Sequence, residues 1–381
     1  MLSENVVRIK MLKYILSILL VVLMCSTIFA GDLAYLSEYA DTITICPSGC
    51  DYTTVQSAET GWDGDMSGTL GRLFLVSGDW SAVGSGGVLV VDGWTNTDST
   101  HSIAFKCVGD ARHAGSLSVV SYRLTGVHAV CQTNEPWTVI NGFTIIDSAT
   151  NGTATCMNFT NMGTPVNYLI ANNYVYRTLA DLASYECILP ENVASGQQMF
   201  INNFFTGYKG AGTGVMRLFS NNSRVLFANN TVVNSTAAIY ASGTDVAYDS
   251  LRVINNIFQG VDSVFMQMGA SFNPISDYNS TDSSTFNEAN YTPGANDKVS
   301  QTFTFEGGAT NFNLSTSDTG AKDYGFDMSS HYALNYNEDW IANARTAPWS
   351  IGASEADGVV AAGASVTYIR NAYLKNLKVG N

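Results

Sequence analysis

Three arginines and four aspartates in the middle of the chain have the residue types that cleavage of an acidic polymer requires. An arginine can act as the base that removes a proton from a sugar ring, while acidic side chains on the same face hold Ca²⁺. The candidates are Arg217, Arg224 and Arg252 for the base, and Asp245, Asp249, Asp262 and Asp277 for the metal. Charged residues at the solvent edges of strands are the competing interpretation. Ca²⁺ is the only cofactor that any of these patterns suggests.

His113 is the histidine with the most notable surroundings, because Arg112 precedes it and a glycine turn at Gly115 follows. A catalytic or ligand-binding role is one interpretation, and a role in the turn or in packing is the other. The remaining histidines are scattered and have no metal-ligand spacing.

Aromatic residues are abundant, with 19 Tyr, 18 Phe and 6 Trp. Exposed aromatic rings along one face can stack on sugar rings. The candidates for such a carbohydrate-binding face are Tyr174, Tyr176, Tyr208 and Tyr240. An aromatic ladder inside the fold, or under a loop, is the alternative for each of them.

A repeated apolar–Asn–Asn–apolar pattern indicates the elements that must position these side chains. Spacings of 31, 30, 27 and 26 residues connect its successive first asparagines. These are Asn141, Asn172, Asn202, Asn229 and Asn255, with Asn279 a further 24 residues on. Asn and Gly tolerate left-handed backbone, and stacked Asn side chains can hydrogen-bond to their equivalents one turn away. We therefore predict an all-β fold, a single-stranded right-handed parallel β-helix (a solenoid) with capped ends and a structural ladder of these asparagines.

Several motifs resemble the pectin-lyase-like superfamily of right-handed parallel β-helices, over roughly residues 45 to 356. Cys50–Gln56 looks like the entry segment that caps such helices, and Asp92-Gly93-Trp94-Thr95 resembles a motif of bacterial and phage-borne members of unknown activity. Ile351-Gly352-Ala353-Ser354-Glu355 is similar to the closing motif of secreted β-helix repeat proteins. The resemblance implies the fold and an association with polysaccharides, but it does not imply one reaction.

The hydrolases of that superfamily carry four short motifs, of which this chain keeps little. Asn96-Thr97-Asp98 is present, but the Asp-Asp and Gly-His-Gly strings are missing, and Arg8-Ile9-Lys10 lies too early. Paired carboxylates for glycoside hydrolysis are therefore not indicated. If the protein is an enzyme, a polysaccharide lyase is favoured over a glycoside hydrolase, and its catalytic status stays open.

Composition and charge narrow the class of protein. Only 13% of residues are charged and 46% are hydrophobic, which disfavours disorder and coiled coils. The formal net charge of −14 would repel phosphate backbones, so we expect no nucleic-acid partner. A polysaccharide or a cell-surface glycan is the expected partner.

The first 30 residues are typical of a secretory signal peptide. Lys10 and Lys13 precede an apolar stretch from Tyr14 to Met24, and Ala30 supplies a small residue for cleavage. A retained anchor is the alternative, although the stretch is shorter than the about 20 residues a spanning helix needs. We expect a secreted protein, extracellular or at the cell surface, with no membrane association after cleavage.

Removal of Cys25 with the signal leaves six cysteines, an even number that suits disulfides in an exported protein. The disulfide candidates are Cys46, Cys50, Cys107, Cys131, Cys156 and Cys187. Buried free thiols stacked along the helix are the equal alternative for the cysteines that follow the Cys46–Cys50 loop.

The predicted organisation is a signal peptide (1–30), an N-terminal cap with the first coils (31–86), the β-helix coils (87–280), C-terminal coils and loops (281–356) and a tail (357–381). The function expected from the sequence is a secreted carbohydrate-associated β-helix protein. A non-catalytic surface or phage-type structural adhesin and a Ca²⁺-dependent polysaccharide lyase are the alternatives.

Overall fold

The computed structural model describes residues 39–83, 86–98, 100–116, 121–149, 155–159, 167–178, 186–190, 196–210, 214–218, 224–241, 250–266, 275–286, 292–308, 310–328 and 338–357. The predicted signal peptide, most of the predicted tail, and the predicted metal ligands Asp245 and Asp249 lie outside these ranges.

The described chain is a parallel β-solenoid, which confirms the predicted fold class. Its strands form three rows, here called A, B and C, that follow one another along each turn of the chain. Six successive turns supply a strand to every row. Neighbouring turns pair in parallel, so each residue meets its equivalent in the next turn.

Row A is a nine-stranded sheet, and rows B and C join into a twelve-stranded sheet through two long strands that cross both. Row A contains β1 (Tyr39–Ile45), β2 (Gly71–Val76), β4 (Ile103–Cys107), β7 (Thr138–Asn141), β10 (Tyr168–Ala171), β13 (Gln197–Ile201), β16 (Arg224–Ala228), β18 (Ser250–Ile254) and β20 (Ile275–Asp277). Row B contains β5 (Arg123–Gly126), β8 (Thr144–Asp147), β11 (Tyr174–Arg177), β14 (Phe204–Thr206) and β21 (Ser280–Thr281). Row C contains β3 (Leu89–Val91), β6 (Cys131–Thr133), β9 (Met157–Phe159), β12 (Glu186–Pro190) and β15 (Gly214–Leu218). The strands that cross both rows are β17 (Thr231–Ala241) and β19 (Ile257–Met266).

The strands of row A are buried on both faces. In β10, Ile170 packs in the central core, whereas Leu169 and Ala171 pack in a second cluster outside the row, together with Met328 and Trp349 from the C-terminal part. A near-continuous apolar run is what such a doubly covered parallel strand requires. This explains why the segments before the asparagines are apolar without alternation.

The turn between rows A and B requires a left-handed residue, and the repeat supplies it. Asn172, Asn202, Asn229 and Asn255 have φ between 53° and 59°, and Gly142 takes the same place with φ 84°. Asparagine and glycine adopt this conformation at the lowest steric cost. The first asparagine of each pair is therefore the turn residue.

The second asparagine of each pair forms the buried ladder. The side-chain oxygen of each one accepts both the peptide N–H and the side-chain Nδ2–H of its equivalent in the preceding turn, at 2.8–3.1 Å. Each Nδ2 also donates to a carbonyl oxygen of row A. The ladder residues are Asn173, Asn203, Asn230, Asn256 and Asn279.

The predicted ladder was therefore displaced by one residue in four of its five members, because the pattern in the sequence does not distinguish the two asparagines of a pair. Asn141 aligns with Ala171, not with an asparagine. Asn172 does donate to Asn141 at 3.1 Å and Asn202 to Asn172 at 3.2 Å, but Asn229 and Asn255 do not continue this outer series. Asn255 instead exchanges hydrogen bonds with the backbone of Phe326.

Both ends of the solenoid are covered. At the N-terminal end, helix α1 (Val55–Trp62) begins at Thr54, whose hydroxyl accepts the Ser57 N–H, and it buries Val55 and Ala58 on the core. At the other end, Asp297 takes the place of the next ladder residue and accepts the Asn279 amide hydrogens at 2.7 and 3.0 Å. In the described part of the chain, no helix is long and apolar enough to span a membrane.

The C-terminal segment does more than fold over the open end, as the sequence had suggested. Residues 310–357 run back along the side of the solenoid: Asn313 donates to Ala114, and Arg112 donates to the Trp340 carbonyl at 3.0 Å. We call residues 310–357 the C-terminal strap.

The cysteines divide into one disulfide and four buried thiols. Cys46 and Cys50 are bonded in the tight N-terminal loop. Cys107, Cys131, Cys156 and Cys187 are free, in contrast to their prediction as disulfide candidates. Cys107 and Cys131 cannot stack despite their 24-residue spacing, because Cys107 lies in row A and Cys131 in row C, beside Met157.

The two asparagines of one pair offer a matched test of the ladder. We expect Asn230→Ala to lower the free energy of unfolding by about 3 kcal/mol, because it leaves buried donors and acceptors in two turns unpaired. Urea unfolding followed by circular dichroism measures the change. Asn229→Gly is the control, since it keeps the left-handed turn and the Asn229 side chain makes no hydrogen bond in the described structure. Equal losses in the two variants would contradict the assignment.

Candidate functional site

The outer face of row C is the lateral face that the strap does not pack against in the described structure. The strap covers row A with Trp349 and Met328, and it covers row B with Trp340 and Phe312. Row C instead presents partly exposed polar and aromatic side chains in register. We call Gln132, Asn158, Glu186, Arg217 and Tyr240 the Arg217 face.

Arg217 is the centre of this face. It lies on β15, beside Tyr240 of β17 in register, and its guanidinium carbon is 5.5 Å from the centre of the Tyr240 ring. Its Nη1 donates to Glu186 Oε1 of β12 at 2.8 Å. Three consecutive turns thus bring a cation, a carboxylate and an aromatic ring together.

Exposure and charge define what this arrangement can do. The side chain of Arg217 is 30% exposed, whereas that of Glu186 is 6% exposed. The carboxylate holds one edge of the guanidinium, and the remaining N–H groups can donate to a ligand. Stacking on Tyr240 restricts the guanidinium further. Such a face binds a ligand that has both hydroxyl groups and an apolar ring face.

The three predicted arginines do not come together. Arg252 lies in row A, in register with Leu226 and Ile275, and the backbone of Arg224 also belongs to row A. Arg217 is in row C, so the prediction of a shared cationic site is wrong. The sequence misleads here because every turn contains three strands, and residues a whole number of turns apart are the ones that stack.

The predicted metal ligands are also separate. Asp262 forms an exposed ion pair with Lys209 at 2.6 Å, and Asp277 accepts hydrogen bonds from Tyr278 and Asn296. Within the described ranges, no three His, Cys, Asp or Glu side chains form a group that could hold a metal ion.

Of the four predicted carbohydrate-binding tyrosines, Tyr240 lies on the Arg217 face. Tyr174 is buried under the strap, stacked on Phe204 and Trp340, and half-buried Tyr176 packs beside this cluster. Tyr208 is fully buried in the core. Tyr174 and Tyr208 are therefore unavailable to a sugar, because the strap or the core itself covers them.

His113 is a buried packing residue in this structure and is not placed to meet a substrate. Its Nε2–H donates to the Asn172 carbonyl at 2.7 Å, and its Nδ1 accepts the Gly115 N–H at 3.3 Å. The ring packs against Trp340 of the strap, with 4.9 Å between ring centres. Burial, with the nearby Arg112 charge, lowers the pKa of His113 to about 3. The two hydrogen bonds require the neutral ring.

A carboxylate cluster near the N-terminal cap was not anticipated from the sequence. Glu59 of α1 accepts the Trp94 indole N–H at 3.0 Å, and Glu135 accepts the Trp94 peptide N–H at 3.0 Å. Burial raises the pKa of Glu135 to about 7 and also raises the pKa of Glu59. No sequence spacing could pair these residues, because one lies on the cap and the other after a strand of row C. Their hydrogen bonds join the cap to the first turns.

No protein-family model, no curated protein and no solved structure matches the chain.

The buried neutral His113 predicts acid sensitivity. The unfolded chain takes up a proton below pH about 6.5, whereas the folded chain does so only near pH 3, so stability present above pH 6.5 is lost as the pH falls between these values. The loss approaches about 1.4 kcal/mol per pH unit. We expect His113→Gln to flatten the pH dependence of unfolding between pH 6.5 and 4.5, measured by urea titration. His101→Gln, at a partly exposed histidine, should leave it unchanged. Parallel pH profiles for wild type and His113→Gln would contradict the assignment.

Proposed function

We propose that this protein is a secreted, carbohydrate-associated β-helix of the pectin-lyase-like type, and that the Arg217 face binds the glycan. The observation that carries the proposal is the Glu186–Arg217–Tyr240 arrangement on the side of the solenoid that the strap leaves uncovered. The signal-like N-terminus and the motifs that resemble that superfamily support export and the family.

The chemistry of the face suits a sugar. A pyranose presents hydroxyl groups at its edge and C–H groups on its face, so it can accept hydrogen bonds from Arg217 while it packs against Tyr240. Both side chains lie on neighbouring strands of a rigid sheet, and Glu186 already orients the guanidinium. Preorganisation of this kind lowers the entropic cost of binding.

The charge balance favours a neutral glycan over a polyanionic one. The chain has a formal net charge of −14, and Glu186 partly neutralises Arg217. Arg252 is in the other sheet and cannot add its charge to this face. A uronic-acid polymer would therefore meet one compensated cation on an acidic protein.

Glycan binding measured by titration calorimetry, after a screen of neutral and uronic-acid polysaccharides, tests the proposal. We expect Tyr240→Ala to raise the dissociation constant about tenfold or more, equivalent to about 1.4 kcal/mol. We expect the same of Glu186→Gln/Arg217→Gln, which removes both charges so that neither is left unpaired.

Arg252→Ala and Tyr324→Ala are the matched controls, because these residues lie in row A and on the strap. Unchanged affinity in the Arg217-face variants, or an equal loss in the controls, would refute the assignment. The same polymers with Ca²⁺, followed by absorbance for unsaturated products, examine the lyase alternative. Release of products by wild type but not by Arg217→Lys would replace the binding proposal with catalysis.

A further inference from the structure

A buried polar cluster lies at the corner between rows B and C and plays no part in the proposed glycan site. It contains Asp147 and Arg177, which end consecutive strands of row B with their charged atoms 3.7 Å apart, and Tyr208 from the next turn. The Arg177 guanidinium lies over the Tyr208 ring at 5.7 Å. The thiols of Cys156 and Cys187 complete the cluster, and all five side chains are buried.

The two thiols occupy equivalent positions in consecutive turns. Cys156 directly precedes β9 and Cys187 lies in β12 just before Ile188, which pairs with Met157, the first residue of β9. Residues in register on neighbouring parallel strands have Cα atoms about 4.8 Å apart, within the separation that a disulfide spans. Both side chains belong to the central core, and the two thiols are in hydrogen-bonding contact.

We propose that Cys156 and Cys187 form a second, cross-turn disulfide when the protein folds in the presence of a disulfide oxidant. The two thiols lose two protons and two electrons and form one S–S bond, while the oxidant's disulfide is reduced to two thiols. The other buried thiols lack this geometry: Cys107 is in row A, and Cys131 is in register with Met157. Each thiol of the pair has the other as its matched partner.

The bond would join two successive turns covalently. The segment between the cysteines contains a complete turn of the solenoid, including β10 and β11. Cross-linking it restricts the unfolded chain without altering the stacked strands. We expect the oxidised protein to have a thermal midpoint about 5 °C above that of the reduced pair.

Refolding and thiol mapping test the proposal, independently of any glycan. A Cys25→Ser chain is reduced, unfolded and refolded in a mixture of reduced and oxidised glutathione, and then alkylated in denaturant. Peptide mapping should find Cys46 linked to Cys50, Cys156 linked to Cys187, and Cys107 and Cys131 alkylated. Formation of the Cys46–Cys50 bond, which the structure contains, serves as the internal control that the buffer is oxidising enough.

Alkylation of both Cys156 and Cys187 in a sample where Cys46 and Cys50 are linked would overturn the proposal, and so would linkage of either one to Cys107 or Cys131. Cys156→Ser should expose the Cys187 thiol to alkylation and abolish the gain in thermal midpoint. Cys131→Ser is the matched control, because Cys131 is equally buried, and it should retain both the linkage and the gain.

Discussion

The buried asparagine ladder is the constraint on which the rest of this structure depends. A turn between two parallel strands leaves peptide N–H groups inside the molecule, away from water, and each must have an acceptor. The second asparagine of every pair supplies this acceptor to the turn before it and takes one from the turn after it. The register of all three rows follows, because a turn shifted by one residue would lose these bonds and the left-handed turn residue together.

The strap is fastened to this scaffold by groups that the turns present. Arg345 is buried; it donates to the Asn202 side chain at 3.1 Å and to the Gly352 carbonyl at 2.7 Å, and its guanidinium lies 3.6 Å from Glu355. Burial raises the pKa of Glu355 and of Asp339, and Arg345 opposes the rise in both. Removal of either partner would strand a buried charge, so this closing motif stabilises the strap only as a complete set.

The sequence predicted the fold well because the fold repeats. A turn residue that needs positive φ and a core that needs apolar strands recur in every turn, so five imperfect copies identify them. The candidate site does not repeat. Arg217 was recognisable as a charged residue in a central turn, but its partner Glu186 lies 31 residues earlier in another strand, and only the register of rows reveals the pair. The displaced ladder has the same origin, because a repeat gives the period but not the phase of the two asparagines.

The division between covered and uncovered faces connects the scaffold to its proposed use. Rows A and B have apolar outer residues that only a covering segment can protect, and the strap provides Trp349, Trp340 and Phe312 for this purpose. Row C has no comparable apolar series on its outer face among the described residues. A ligand on row C therefore meets side chains whose backbone is fixed by hydrogen bonds on both sides and whose neighbours are already oriented. Affinity there would depend on the few groups at the surface, since the scaffold beneath them has no need to reorganise.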